Sequence, residues 1–204
     1  MDNAISTRGK RTRLSPDVRR SQIIDAAAQV TLEQGHLPLP VERLAEYANV
    51  SKALVYAYFP TQYDLANAVL ERRFAALAVA GIDAASLASP LKAAALETAR
   101  IYFEDVAAHG PLIHVILRDH FMLGRLDPGL AAMRDRIVRN LARAARRSLR
   151  LTARETVAAT NMIITIPEQA GRLAYAGEME PVRARDLCAQ LIESSVAALT
   201  PREA

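Results

Sequence analysis

The sequence predicts an all-α protein built as a small three-helix head followed by a longer helical body. Three observations carry this. Alanine and leucine dominate a chain that is 51% hydrophobic, and its 8 glycines are sparse over 204 residues; alanine loses no side-chain entropy in a helix. Apolar residues recur at three- and four-residue spacing along most of the chain. Capping residues, prolines and glycines punctuate that pattern at helix-length intervals. The length suits a small domain fused to a larger one.

Taken in order, residues 1–14 are polar and set Arg8, Lys10, Arg11 and Arg13 against a single acid, Asp2. This composition predicts a disordered basic arm. Ser15-Pro16 is a helix start, a capping hydroxyl before a first-turn proline. The helix is expected to reach Gln34, with Ile23, Ile24, Ala27, Val30 and Thr31 on one face and Gly35 as its stop. After the turn His36–Pro40 come two short helices, 41–48 and 52–59, separated by Asn49-Val50-Ser51. Thr61 caps a fourth helix to Ala80 through Leu65, Val69, Leu70, Phe74 and Leu77. Gly81 to Pro90 reads as a linker. Longer helices are expected over 90–108, 111–123, 128–150, 152–177 and 181–199. The units are therefore an arm, 1–14, a head, 15–61, and a body, 62–204.

The formal charge is +4, which suits a polyanionic partner without proving one. Only Lys10, Lys52 and Lys92 among the 26 basic residues are lysines; so strong an arginine bias, with so much alanine, equally suits a GC-rich genome. Cys188 has no second cysteine to pair with, and its apolar helical setting predicts a buried structural thiol. No metal site or cofactor is expected, since His109, His114 and His120 do not share a helical face. The charged N-terminus lacks an apolar core and no long uncharged apolar stretch occurs, so neither export signal nor membrane span is expected, and the cytoplasm is the expected compartment.

The informative segment is Val41 to Phe59. Two helices of about eight residues around a short turn have the spacing of a helix-turn-helix. Ala45 is small where the helices must approach, and Leu44, Val50 and Val55 supply the core between them. The first turn residue needs positive φ; Asn49 is the type that tolerates it best after glycine. The run Val50-Ser51-Lys52-Ala53-Leu54-Val55-Tyr56-Ala57-Tyr58-Phe59-Pro60 resembles the recognition helix of the tetracycline-repressor (TetR) family, Gly-Val-Ser-x-x-x-Leu-Tyr-x-His/Tyr-Phe. It follows an Ile-Ile-Asp-Ala-Ala first helix, and the close likeness covers residues 19–71. Three departures stand out. Asn49 replaces the usual glycine, Leu39-Pro40 replace threonines that would reach phosphate, and Gln62 replaces a phosphate-binding lysine.

The resemblance implies a helix-turn-helix DNA-binding domain with a C-terminal helical ligand-binding and dimerisation domain. Val55 and Phe59 face the core, leaving Lys52, Ala53, Leu54, Tyr56, Ala57 and Tyr58 toward DNA. Lysine and phenol hydroxyls suit phosphate, and Leu54 and Ala57 suit thymine methyls; the tyrosines alone would equally suit partial core packing. Arg11 and Arg13 of the arm are expected to reach a minor groove or phosphate, unless the arm is only a solvated tail. In the body, Tyr102, Phe103, His114, Phe121, Met122 and Met133 are candidate lining of a ligand pocket, with Arg118, Asn161, Glu168, Gln169 and Arg172 as polar candidates. Aromatic and methionine side chains at helical spacing equally build a core, and Glu168 with Arg172 equally forms a surface pair. Met162, Ile163, Ile166, Leu173, Leu187, Leu191, Ile192 and Val196 exceed a monomer's needs and predict a homodimer through residues 152–199. The arginine stripe between Arg134 and Arg150 reads as a solvated face or a second acidic-partner surface.

The expected function is a ligand-responsive transcription regulator, a repressor released from a double-stranded DNA operator by a small, largely apolar molecule. The alternatives are a ligand-independent architectural DNA binder and a helical enzyme. Against the last, no Ser-His-Asp arrangement, HExxH or glycine-rich phosphate loop occurs.

Overall fold

The computed structural model describes residues 15–149 and 151–200. The head begins with α1 (Pro16–Gln34), whose N-terminus is capped by Ser15 Oγ accepting from the Val18 amide at 3.3 Å. Gly35 closes it in the left-handed region. Two short helices follow, α2 (Val41–Tyr47) and α3 (Lys52–Tyr58). Helix α4 (Gln62–Val79) starts on a full capping box, in which Thr61 and Asp64 satisfy each other's backbone amides. These starts and stops lie within about two residues of the sequence reading, because each is set by chemistry local to the chain.

The body differs from expectation in three places. The expected linker 81–90 holds a short helix, α5 (Ile82–Ser86), which buries Ile82 and Ala85. Tertiary contacts hold it: Asn140 Nδ2 donates to Ser86 Oγ at 3.0 Å, and Arg136 forks onto Asp83 at 2.8 and 2.9 Å. After α6 (Leu91–His109), the expected helix 111–123 stops early. It is α7 (Leu112–Arg118), an extended Asp119 and a 3-10 turn, His120–Met122. Asp119 leaves the helix because both its oxygens serve other amides, Phe121 N at 2.8 Å and Leu37 N at 2.7 Å. After α8 (Pro128–Ser148), the expected helix 152–177 is two helices, α9 (Ala153–Ile163) and α10 (Thr165–Tyr175). Pro167 lacks the N–H that would bond to Ile163, and its ring crowds that carbonyl, so the helix is interrupted at Ile164. Helix α11 (Pro181–Leu199) ends the fold.

The packing does not respect a boundary at residue 61. One contiguous apolar core runs from Ile23 and Leu44 of the head through Leu70 and Phe74 of α4 to Ile116 and Ile137. Each such side chain, fully buried, contributes about 1.5–3 kcal/mol relative to exposure. In the body α6 is central, packed against α5, α8, α10 and α11. The closest approach is at Gly171 of α10, where a Cβ would stand 2.7 Å from Val106 Cβ and 3.0 Å from the Phe103 carbonyl. Ile192 and Val196, expected at a dimer face, are instead buried within the monomer against α6 and its neighbours. Met162 and Leu191 remain exposed, 72% and 46%.

Candidate functional site

The turn between α2 and α3 is closed by its own backbone. Asn49 N donates to Glu46 O at 3.0 Å and Val50 N to Ala45 O at 2.9 Å. Asn49 takes φ 48°, and is the non-glycine residue with positive φ among the described residues. Ser51 Oγ then accepts from Leu54 N at 3.2 Å and starts α3. Val55 and Phe59 are buried, which turns Lys52, Ala53, Tyr56 and Ala57 outward. Leu54 and Tyr58 are half-buried, and Tyr58 packs against the head's core, so its ring braces α3 while its edge stays accessible. Lys52 is ion-paired with Glu42 of α2, which holds the Glu42 carboxyl below its ordinary range. Arg11 and Arg13, with the rest of the arm, lie outside the described residues.

Gln62 has a role the sequence did not disclose. Its amide donates to Leu39 O at 2.9 Å and accepts from Leu39 N at 3.2 Å, locking the loop before α2 onto the start of α4. Head and body are tied by more than α4. Asp119 holds Leu37, Tyr63 of α4 stacks on Phe121 with centroids 4.5 Å apart, and Asn67 pairs with Arg125 O and Asp127 N at 2.9 Å each. At the same junction Arg73 of α4 meets Asp105 of α6 at 3.2 Å, with both side chains largely buried.

A cavity of about 630 Å³ lies inside the body, within the usual range for small-molecule sites. Its walls are mostly apolar and include Phe74 and Leu77 of α4. Of the expected lining residues, Tyr102, His114, Arg118, Asn161 and Glu168 are there. The Tyr102 hydroxyl reaches Glu168 Oε2 at 3.4 Å, and His114 Nδ1 is 2.6 Å from Oε1. Burial, with Glu168 and Asp105 nearby, pushes the Tyr102 phenol well above its ordinary pKa, so it remains a donor. The remaining candidates lie elsewhere. Phe103 is buried, with its carbonyl against Gly171, Phe121 stacks on Tyr63, and Met122 belongs to the core shared with the head. Met133 also packs on that core and not on the cavity. Gln169 and Arg172 are hydrogen-bonded to each other on the outside of α10, and Arg172 pairs with Glu178 at 3.1 Å. Glu168 and Arg172 are therefore not a pair: the first points inward and the second outward.

Sequence reasoning missed Thr98, which lines the cavity one turn before Tyr102 on α6. Their four-residue spacing puts both on one helical face, a signal that was available. At the cavity's exposed edge stand Arg134 and Arg139 of the arginine stripe, both near Asp135. Arg150 lies outside the described residues. Cys188 is buried and its thiol is pushed up to about 11 by desolvation, as a structural thiol should be.

Residues 23–69, the segment just described with most of α4, match the profile of bacterial regulatory proteins of the tetR family. The head is similar to the tetR-family regulatory domain over these residues. A transcriptional activator of Mycolicibacterium smegmatis, FasR, is 37% identical over 60 residues. That stretch is 29% of this chain and only 27% of the curated relative. The tetR-like fold extends further than the sequence likeness. A TetR-like regulator from Rhodococcus sp. RHA1 superposes with TM-score 0.69 at 22% identity, over 91% of this chain and 99% of its own. LfrR of Mycobacterium smegmatis, solved in complex with proflavine, gives TM-score 0.62 at 21% identity, over 92% and 98%. The fold is thus all-α, an N-terminal helix-turn-helix domain with a helical C-terminal domain. These relatives and neighbours are transcription regulators. No helix among the described residues is long and apolar enough to cross a membrane.

Proposed function

We propose that this protein is a ligand-responsive transcription regulator, a homodimeric repressor released from its operator when a small, largely apolar molecule enters the body. The observation that carries the reading is the position of α4. Its first residue, Gln62, holds the head's loop, and Phe74 and Leu77 near its end form part of the cavity wall. A ligand pressing on that wall acts on the same rigid element that aims α3. That LfrR, which shares this fold, is solved in complex with proflavine supports a small-molecule ligand. The exposed Val157, Met162, Val182 and Leu191 on α9 to α11 support a dimer face, and two heads must reach major grooves about 34 Å apart. DNA contact is assigned to Lys52, Ala53, Leu54, Tyr56, Ala57 and Tyr58, with Arg11 and Arg13 of the arm. Lys52 would exchange Glu42 for phosphate on binding.

The test is selection of bound duplexes from a random pool, followed by anisotropy titrations at several salt concentrations. One enriched palindromic site is expected, with Lys52→Ala flattening the salt slope by about one counterion and Tyr58→Phe weakening binding by about 1–3 kcal/mol if its hydroxyl touches a base. Equal affinity for every duplex would overturn the operator reading in favour of an architectural binder.

A further inference from the structure

Among the described residues, three buried side-chain polar atoms lack a hydrogen-bond partner: Arg73 Nε, Thr98 Oγ1 and Glu168 Oε1. Two of the three, Thr98 and Glu168, belong to residues of the same cavity. This is not the habit of the chain. Thr31, Thr156 and Thr160 are also buried in helices, and each donates to the carbonyl four residues back, at 2.7–2.8 Å. Thr98 makes no such bond. Glu168 is 6% exposed. Its Oε2 receives only the long contact from Tyr102, and its Oε1, with no hydrogen bond, has His114 Nδ1 at 2.6 Å, an ion pair only when that imidazole is protonated. A carboxylate in an apolar wall is costly unless a cation and aligned donors meet it. The arginines of this cavity do not do so: Arg118, Arg134 and Arg139 are exposed, and Asp135 draws the last two.

We propose that the cavity takes an apolar molecule carrying one protonated amine, whose N–H donates to Glu168 Oε1 while Thr98 Oγ1 makes a second polar contact. This rests on the reading of the cavity as a ligand site and names its ligand class. An ammonium fits because the innermost charged group is an acceptor; an alkyl carboxylate of the same length would bring its charge against Glu168. The apolar walls take the hydrocarbon, and the neutral alcohol has the shape without the charge.

The experiment is calorimetric titration of the full chain, without DNA, with decylammonium, decan-1-ol and decanoate. Decylammonium is expected to bind at least about tenfold tighter than decanoate, since hydrogen bonds to charged groups carry that much discrimination. Glu168→Gln, nearly isosteric, is expected to abolish the preference while leaving decanol within about threefold. Thr98→Val is expected to weaken decylammonium by about threefold to tenfold and keep the preference. The order of the three probes on the unmodified protein decides the matter even if a variant folds poorly. Decanoate equal to or tighter than decylammonium overturns the proposal, as does an undiminished preference in Glu168→Gln or failure of all three to bind. Repeating the titrations with operator duplex separates the readings. Decanoate binding that releases DNA keeps the sensor and removes the amine; amine binding that leaves DNA affinity unchanged keeps the amine and removes the sensor.

Discussion

Asn49 carries the turn of the helix-turn-helix at φ 48°, a conformation that costs an ordinary L-residue about 1 kcal/mol or more. Asn49→Ala is expected to lower stability by about 1 kcal/mol in urea denaturation, and Asn49→Gly to change it by less than that. Equal effects of the two substitutions would mean that backbone strain does not govern the turn. Asp105 makes a second residue-scale prediction. Burial raises its carboxyl pKa above the ordinary 3.8, although Arg73 and His109 pull it back. The folded state therefore holds this proton at a pH where the unfolded chain has released it. The contribution of Asp105 to stability is greatest below the unfolded pKa and falls as pH rises through the folded one. Asp105→Asn should make the slope of stability against pH less negative just above 3.8, as read by thermal unfolding across that range. An unchanged slope would show that the buried pair does not titrate there.

At the scale of elements, the caps and periodicities were legible because they are local. Ser15, Ser51 and Thr61 each cap the helix that the sequence places after them. The element errors have a common cause. Helix α5 is held by Asn140 and Arg136 from far along the chain, and Asp119 breaks its helix to serve Leu37, 82 residues away. Neither signal exists within a sequence window. The break at Pro167 was visible, since an internal proline removes a helical hydrogen bond. The seam between α6 and α10 gives a prediction of its own. Gly171→Ala would force a methyl against Val106 and the Phe103 backbone. The expected loss is about 1–3 kcal/mol, as for other overpacked cores. Because this seam also positions Tyr102 against Glu168, ligand affinity should fall with it. A variant as stable as the parent would show that α10 can slide.

Across the whole molecule, head and body are joined by α4 and by a second set of contacts, made by Asp119 and Phe121 beside α7. Only α4 is covalently continuous between them. Asp119→Ala removes the hydrogen bond to Leu37 while leaving the cavity wall intact. Its expected effect is on coupling: the ratio of ligand affinities with and without operator should move toward one, while ligand affinity in the absence of DNA stays within about twofold. By reciprocity the ratio of DNA affinities must move equally, and each tenfold of coupling is about 1.4 kcal/mol. An unchanged ratio would return the whole signal to α4.

The candidate site divides along the same line. The outward residues of α3 were readable because seven consecutive helical positions fix which side chains oppose Val55 and Phe59. Five of the eleven expected cavity residues line the cavity, and the other six are aromatic, methionine or polar side chains whose helical face alone does not say what lies opposite. The sequence by itself determined the helices with their caps and the helix-turn-helix with its outward residues, since these follow from spacings of three, four and a few residues along the chain. Only the tertiary structure decided that Glu168 turns inward while Arg172 turns outward, that Thr98 is left unpaired, and that Ile192 and Val196 serve the monomer's own core. Those outcomes depend on how α6, α10 and α11 pack across long stretches of chain, where contact is set by shape and burial and no local pattern specifies the partner.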